Sequence, residues 1–183
     1  MIMDLVSRTG RDLQRYNKGR RLVVGCIPYK YKDGERGTLI EEELEVMVIS
    51  TQRGHGKLFP KGGWELDESA EEAASRETIE EAGVLGNMEP ELGRWRFKSK
   101  GGGGIHHEAY MFPLLVTEQL ESWPEMDIRQ REWMNVTEAR QICKHWWMKE
   151  ALDRLVERLK SSSAGNQTGE DDDASELQET VEP

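Results

Sequence analysis

Only two cysteines occur in the 183 residues, Cys26 and Cys143, far apart and in no C-x-x-C spacing. Cys26 lies in an apolar run, where a small buried thiol is the natural reading, and such usage suits a reducing compartment. No apolar stretch approaches the ~20 residues a membrane-crossing helix needs, so no membrane partner is expected. The opening MIMDLVSRTGRDLQRY lacks the long apolar centre of a secretory signal. Arg8, Arg11 and Arg15 keep an organellar transit segment open, while Asp4 and Asp12 argue against it. The expected location is the cytosol and nucleus, with the mitochondrion as the alternative. Also missing is a dense basic run with interleaved aromatics, so nothing calls for a nucleic-acid partner. Oligomeric state is left open.

The net charge of −10 is unevenly spread. Seven acids and no base fall between Ala164 and Pro183, which leaves −3 over residues 1–163 together with all 25 Lys and Arg. A nearly neutral body of this kind can still hold a local basic pocket. The length fits one domain with a tail. The expected division is a flexible segment 1–17, a folded domain 18–160 and a disordered acidic tail 161–183, too polar to bury a core. The tail is also a candidate interaction arm, whose loss would alter partners rather than turnover.

Short apolar or β-branched runs bounded by charge, glycine or proline predict strands over Arg21–Pro28, Leu44–Ser50, Glu91–Phe97, Ala109–Val116 and Glu132–Asn135. Thr51–Trp64 carries four glycines and a proline in fourteen residues and reads as a loop. Ser69-Ala70-Glu71-Glu72 is a capping box, and Gly83 suits a left-handed stop, which sets a helix between them. Thr137 is expected to cap a short helix to about Lys144, and Trp147–Lys160 is expected to be a final amphipathic helix. Mixed strands and a few helices favour an α+β or α/β/α sandwich.

On the wheel of the 69–83 helix, Ala70, Ala73 and Ala74 form a stripe that Glu77 and Glu81 continue, with Glu80 at its margin beside Arg76. The alanines should pack on the sheet, so Glu77 and Glu81 point inward or into a cleft. Close, desolvated acids repel, and a hard divalent cation relieves that conflict. From periodicity alone a solvated acidic face, supported by Arg76 and the helix cap, accounts for the pattern equally well.

The spacing around the helix adds a second argument. Gly62 is followed by five residues and Glu68, then by seven residues and Arg76-Glu77-Thr78-Ile79-Glu80-Glu81-Ala82-Gly83-Val84. This resembles the Nudix box, G-x5-E-x7-R-E-U-x-E-E-x-G-U, with U a bulky aliphatic. Only Thr78, at the first U, departs. The resemblance implies an α/β fold, a Nudix-type α/β/α sandwich around a mixed β-sheet, over about residues 18–160. It implies a hydrolase of phosphoanhydride bonds using one to three Mg2+ ions, with Mn2+ as a substitute. Glu77 and Glu81 are the implied metal ligands, joined by a backbone carbonyl at Lys61 or Gly62. Glu80 is implied either as the base that takes a proton from water or as a further ligand. Arg76 is implied to orient the carboxylates, and Glu68 to have a structural role.

A softer resemblance, to the diphosphoinositol polyphosphate phosphohydrolases of plant type, rests on Arg20-Arg21, on Phe59-Pro60-Lys61-Gly62-Gly63-Trp64-Glu65 and on Arg129-Gln130-Arg131-Glu132-Trp133. Animal members have glycine where Lys61 stands. A small polyphosphorylated substrate needs many cations, and Arg20, Arg21, Arg53, His55, Lys57, Lys61, Arg129 and Arg131 are the candidates. Gly62 and Gly63 are expected beside them. Each cation reads equally as a solvated surface charge. Arg129 and Arg131 alternate along a strand entry, so one of the two should face the pocket. His106 and His107 follow Gly101–Gly104 and read first as part of an ordinary exposed loop; the alternative is a mobile loop that brings His107 onto phosphate as a hydrogen-bond donor or cation. Lys98 stands fifteen residues past Gly83, where members acting on ADP-ribose carry proline, and the Ser-Gln-Pro-Trp array of NADH-cleaving members is absent. Diadenosine polyphosphates remain an alternative substrate class, and a ligand-binding module without catalysis is a second alternative. Trp95, Trp133, Trp146 and Trp147 are expected in the core or on its apolar faces.

Overall fold

The computed structural model describes residues 6–34, 36, 37, 39–100 and 103–168. In chain order the elements are β1 (Tyr16–Asn17), β2 (Arg20–Tyr31), α1 (Ile40–Glu43), β3 (Leu44–Ser50), β4 (Lys57–Leu58), β5 (Lys61–Gly63), α2 (Ala70–Ala82), β6 (Val84–Met88), β7 (Gly93–Lys98), β8 (His106–Gln119), β9 (Arg131–Asn135), α3 (Val136–Ile142) and α4 (Trp146–Thr168). Among the described residues one sheet has the spine β4-β3-β2-β8-β6, with β1 and β5 on β2, β7 on β8, and β9 on β3.

The sheet is mixed because β2 and β8 run parallel, from Arg21 beside His107 to Tyr29 beside Leu115, while the other pairs are antiparallel. Parallel strands bury both faces, and every residue of β2 from Leu22 to Tyr29 is buried. Alternation assigns the faces. Cys26 reaches the Ala74 carbonyl of α2 at 3.5 Å. On the opposite face Trp95 bonds Glu150 of α4 at 2.8 Å, and Phe97 stacks on Trp147 at 4.8 Å. Helices therefore cover both sides of the sheet, which is the expected sandwich.

Helix α2 follows its sequence closely. The Ser69 hydroxyl accepts the Glu72 amide at 3.1 Å, and Gly83 closes the helix at φ +63° by donating to Thr78 and Ile79 carbonyls. Ala73 and Ala74 are fully buried against the sheet. A Cβ at residue 83 would sit 2.7 Å from Trp123 as well as in the left-handed region. Gly83→Ala should therefore destabilise the domain by at least about 1–2 kcal/mol, readable as a lowered urea midpoint with an unchanged slope.

Several boundaries differ from expectation, each for a local reason. Strand β6 was not foreseen. The loop expected over 51–64 contains β4 and β5. Asn135, not Thr137, caps α3, its side chain accepting the Glu138 amide at 2.8 Å. Helix α4 runs to Thr168, past the expected end at 160, and the rest of the acidic tail lies outside the described residues. Trp95 and Trp147 are buried, but Trp146 is 55% exposed, because it occupies the first turn of α4 beside the inward-facing Trp147. Cys26 and Cys143 are both buried free thiols. The described part of the N-terminal segment makes hydrogen bonds to the domain. The buried Gln14 bonds the Leu22 carbonyl at 2.8 Å, and the Arg15 amide bonds Trp64. Among the described residues no helix is long and apolar enough to cross a membrane.

Candidate functional site

Helix α2 delivers its acids to one place. Glu77, Glu80 and Glu81 are all at least nine-tenths buried, although the helical wheel had put Glu80 only at the margin. They line a cavity of about 470 Å³ together with Gly62, Gly63, Arg76 and an acid from the β8–β9 connection, Glu125. The register of β2 with β5 explains how the glycine loop meets the helix. Gly62 lies opposite Val24, on the α2 face, and a Cβ there would fall 2.0 Å from the Glu77 carboxyl carbon. Glycine at residue 62 is what lets the Glu77 carboxylate lie against the backbone.

Arg76 binds this group together. It forms a two-pronged pair with Glu68 at 2.9 and 2.6 Å and donates to Glu77 at 2.9 Å. It also reaches both oxygens of Glu80 at 3.5 Å and the Gly63 carbonyl at 3.1 Å. Burial works against its charge, but the Glu68 bonds and the charges of Glu77, Glu68 and Glu80 outweigh that and raise its pKa. Glu68 therefore acts as the brace of Arg76. Glu81 accepts the Lys61 amide at 2.9 Å on one oxygen and Arg129 at 3.1 Å on the other.

Burial dominates the acids' titration. It pushes the Glu77 carboxyl up to about 7, with Glu80 and Glu125 adding to the effect and Arg76 opposing it. Glu81 rises to about 8 for the same first reason, reinforced by Glu77 and opposed by Arg129 and Lys61. Glu80 is also raised, burial again leading, against the Arg8 amide and Arg76.

Carboxylates in excess of their counter-charges, already desolvated and facing one cavity, are the donor set that Mg2+ prefers. The residues thus fit the ion by chemistry. Their oxygens are at present directed to Arg76, Arg129 and backbone amides, and among the described residues no three acids, histidines or cysteines already converge on one point.

A second cavity, of about 450 Å³, adjoins the first, and Gln52 and Glu81 line both. Its other ionisable lining groups are Arg53, His55, Lys61, Arg129 and Lys144, so four Lys and Arg face one acid. Burial lowers the Lys61 pKa, with Arg21 and Arg129 acting the same way against Glu81 and Glu77. Lys57 lines a neighbouring cavity with Arg53 and Arg129.

Other candidates from the sequence fall elsewhere. Arg131 stacks on Trp123 and bonds the Ala82, Gly83 and Leu120 carbonyls. It is consumed in closing the end of α2, so of the alternating pair it is Arg129 that faces the site. Arg20 sits at the sheet edge beside Asn17 and lines none of these cavities, whereas Arg21 lines the acid cavity and bonds Gln14 at 3.0 Å. His107 is in β8 and not on a loop. It stacks on Phe97 at 5.0 Å, and burial, followed by the charges of Arg21, Lys61 and Arg11, lowers its pKa. His106 is exposed at the start of the same strand.

Three features of the site were not foreseen. Glu125 and Lys144 stand in segments with no motif. The N-terminal segment of residues 7–10 lies along the rim of the acid cavity, where the Arg8 amide donates to Glu80 at 3.1 Å and its guanidinium pairs with Glu65 and Asp67.

Known proteins provide a comparison for this geometry. The NUDIX domain profile matches residues 20–155. "Nudix hydrolase 17, mitochondrial" of Arabidopsis thaliana is 68% identical over 157 residues, covering 86% of this chain and 85% of that protein. "Diphosphoinositol polyphosphate phosphohydrolase 2" of Rattus norvegicus is 36% identical over 134 residues, covering 70% and 71% respectively. Among solved structures, the NUDIX domain of Shewanella oneidensis NrtR, in complex with ADP ribose, superposes with a TM-score of 0.61 at 19% identity, covering 78% of this chain and 90% of that one. At that identity the likeness concerns the fold.

Proposed function

This chain belongs to the Nudix hydrolase family, and from that premise we propose that it removes the terminal phosphate from the diphosphate of diphosphoinositol polyphosphates. Hydrolysis of a phosphoanhydride is the family's activity, and divalent metal ions are its general cofactor; the substrate and the choice of Mg2+ are our reading. The observation that carries it is the adjacency of the two cavities, one acidic and one cationic, sharing Glu81. A substrate with a scissile diphosphate at one end and several further phosphates at the other is complementary to that pair. The name of the rat relative agrees with it.

Glu77, Glu81 and the Lys61 carbonyl would hold Mg2+, with Glu80 assigned as the base, its alternative being a further ligand. When bound, the ion supplies charge that offsets the diphosphate and acidifies water. Glu80, whose carboxyl is raised by burial, accepts the proton of the attacking water at a carboxylate oxygen. Arg76 fixes the facing of Glu77 and Glu80 through its bonds to both, and Glu68 fixes Arg76. Arg129, Lys61, Arg53 and Lys144 hold the phosphates not being cleaved, with Lys57 at the neighbouring rim, and Gly62 and Gly63 leave the diphosphate room against the backbone. Arg21 extends the positive field along β2, while His107 beside it in β8 is kept from carrying charge by burial and adds none. The mitochondrial names among relatives favour that compartment over the cytosol and nucleus.

The test is a panel of diphosphoinositol polyphosphates, diadenosine polyphosphates, ADP-ribose and NADH with Mg2+, read by product analysis. Preferential cleavage of the inositol pyrophosphates is expected. Cleavage of dinucleotides alone would retain the mechanism and discard the substrate. Tight binding with no turnover of any compound would make the chain a ligand-binding module.

A further inference from the structure

The residues from Glu125 to Arg129 form a single turn that sits where the two cavities meet. The Ile128 and Arg129 amides both donate to the Glu125 carbonyl at 3.0 Å, which places the side chains of Glu125 and Arg129 on the same face. The turn is fastened to the end of α2 by the Glu125 amide, which donates to the Glu80 carbonyl at 3.1 Å. These are backbone contacts, independent of the residue-125 side chain.

The side chains form a separate arrangement. Arg129 has only 8% of its side chain exposed, and each part of its fork is engaged: Nε with Glu125 at 3.2 Å, Nη2 with Glu81 at 3.1 Å, and Nη1 with the Ser50 carbonyl at 3.0 Å. Glu125 also accepts from Gln52, a residue shared by both cavities, and from the Ser7 hydroxyl, each at 3.5 Å. With all three nitrogens anchored, the planar guanidinium presents its two remaining N–H donors in fixed directions. Released from Glu125, it can rotate about its stem and bring a second donor to Glu81, the adjacent acid.

We propose that Glu125 is a positioning residue for substrate phosphate, acting through Arg129. By holding Nε it sets the plane of the guanidinium at the seam between the cavities and restrains it from closing fully onto Glu81. The inference rests on the reading of Arg129 as phosphate-facing, given under the proposed function. It adds a residue that no motif marks.

The experiment compares Glu125→Gln, Glu125→Asp, Arg129→Ala and the double variant Glu125→Gln/Arg129→Ala. Each is assayed with Mg2+ on the panel substrate turned over fastest, and by calorimetry with inorganic tripolyphosphate in EDTA. Glu125→Gln is isosteric and keeps the backbone bonds of the turn, so it should fold. It should raise KM about tenfold and weaken tripolyphosphate to a similar degree, with kcat falling less than about threefold. Glu125→Asp, which restores the charge, should recover most of that loss. In the Arg129→Ala background Glu125→Gln should add almost nothing, because both act through one group. An unchanged KM in Glu125→Gln with a raised KM in Arg129→Ala overturns the positioning role alone. An unchanged KM in Arg129→Ala overturns the phosphate-facing reading itself, and this inference with it. A hundredfold fall in kcat at constant KM in Glu125→Gln would place Glu125 at the reacting water and overturn the indirect role.

Discussion

Glu80→Gln and Glu81→Gln should each lower kcat by about 10³-fold under saturating Mg2+, with far-UV circular dichroism unchanged. A positioned acid–base group contributes on the order of 10²–10⁴, and loss of a carboxylate from a hard-cation site removes charge as well as a donor. The two variants should differ in their response to metal. Glu81 bridges the Lys61 amide and Arg129, so Gln at residue 81 disturbs the ion's surroundings, and excess Mn2+ should restore part of the activity. Glu80 faces the Arg8 amide and Arg76. If its task is proton transfer, no concentration of metal should restore Glu80→Gln. Equal rescue of both by metal would make Glu80 a ligand only. Activity within tenfold of wild type in both would remove α2 from the chemistry.

The second large effect concerns stability and pH. In the metal-free protein the Glu77 and Glu81 carboxyls sit at about 7 and about 8 because burial opposes their ionisation. In the unfolded chain they titrate near the ordinary glutamate value of about 4.3. Between these limits the folded state binds more protons, so its stability falls as pH rises. Their favourable contribution is complete below about pH 4 and is lost as pH passes through 7 and 8. In EDTA, Tm should therefore fall on the order of 10 °C between pH 5.5 and 8.5. Mg2+ binds the ionised form, so it should raise Tm more at pH 8 than at pH 6, and its binding near pH 6.5 should release protons. Calorimetry in two buffers of different ionisation enthalpy measures that release. A Tm that rises with pH in EDTA would show that the acids are already ionised and satisfied by Arg76 and Arg129 without metal.

What could be read in advance, and what could not, follows from where the information lies. Helix α2 was legible from end to end because Ser69, the alanine stripe and Gly83 are local signals, each tied to one backbone requirement. The inward facing of Glu77 and Glu81 followed from the same periodicity. That Glu80 is equally buried did not, because the segment around Arg8 and the Glu125 turn cover it from far away in sequence. The Arg8 contact is made by a backbone amide, which no residue type announces. Alternation showed that one of Arg129 and Arg131 would face the site. The choice between them depended on the carbonyls at the end of α2, which captured Arg131. Strand β6 escaped notice because Gly86 and Asn87 interrupt its pattern. His107 reads as part of a loop after four glycines, yet it lies in β8 with its ring stacked on Phe97 of the neighbouring strand. The Nudix resemblance identified the family and pointed to acids that line one cavity; the cationic cavity beside them is a tertiary product of residues drawn from four separate segments.

The parallel seam of β2 and β8 also bears on how the chain acquires its site. These strands are adjacent in space but separated in sequence by two helices, α1 and α2, and five other strands. Closing so long a loop is entropically costly before any contact rewards it. During synthesis α2 can form as soon as it emerges, but its acids have no enclosing wall until β8 and the turn at Glu125 arrive. A nascent chain stalled before β8 would therefore present its acids to water, and a divalent cation held by this cavity would be a late guest in folding.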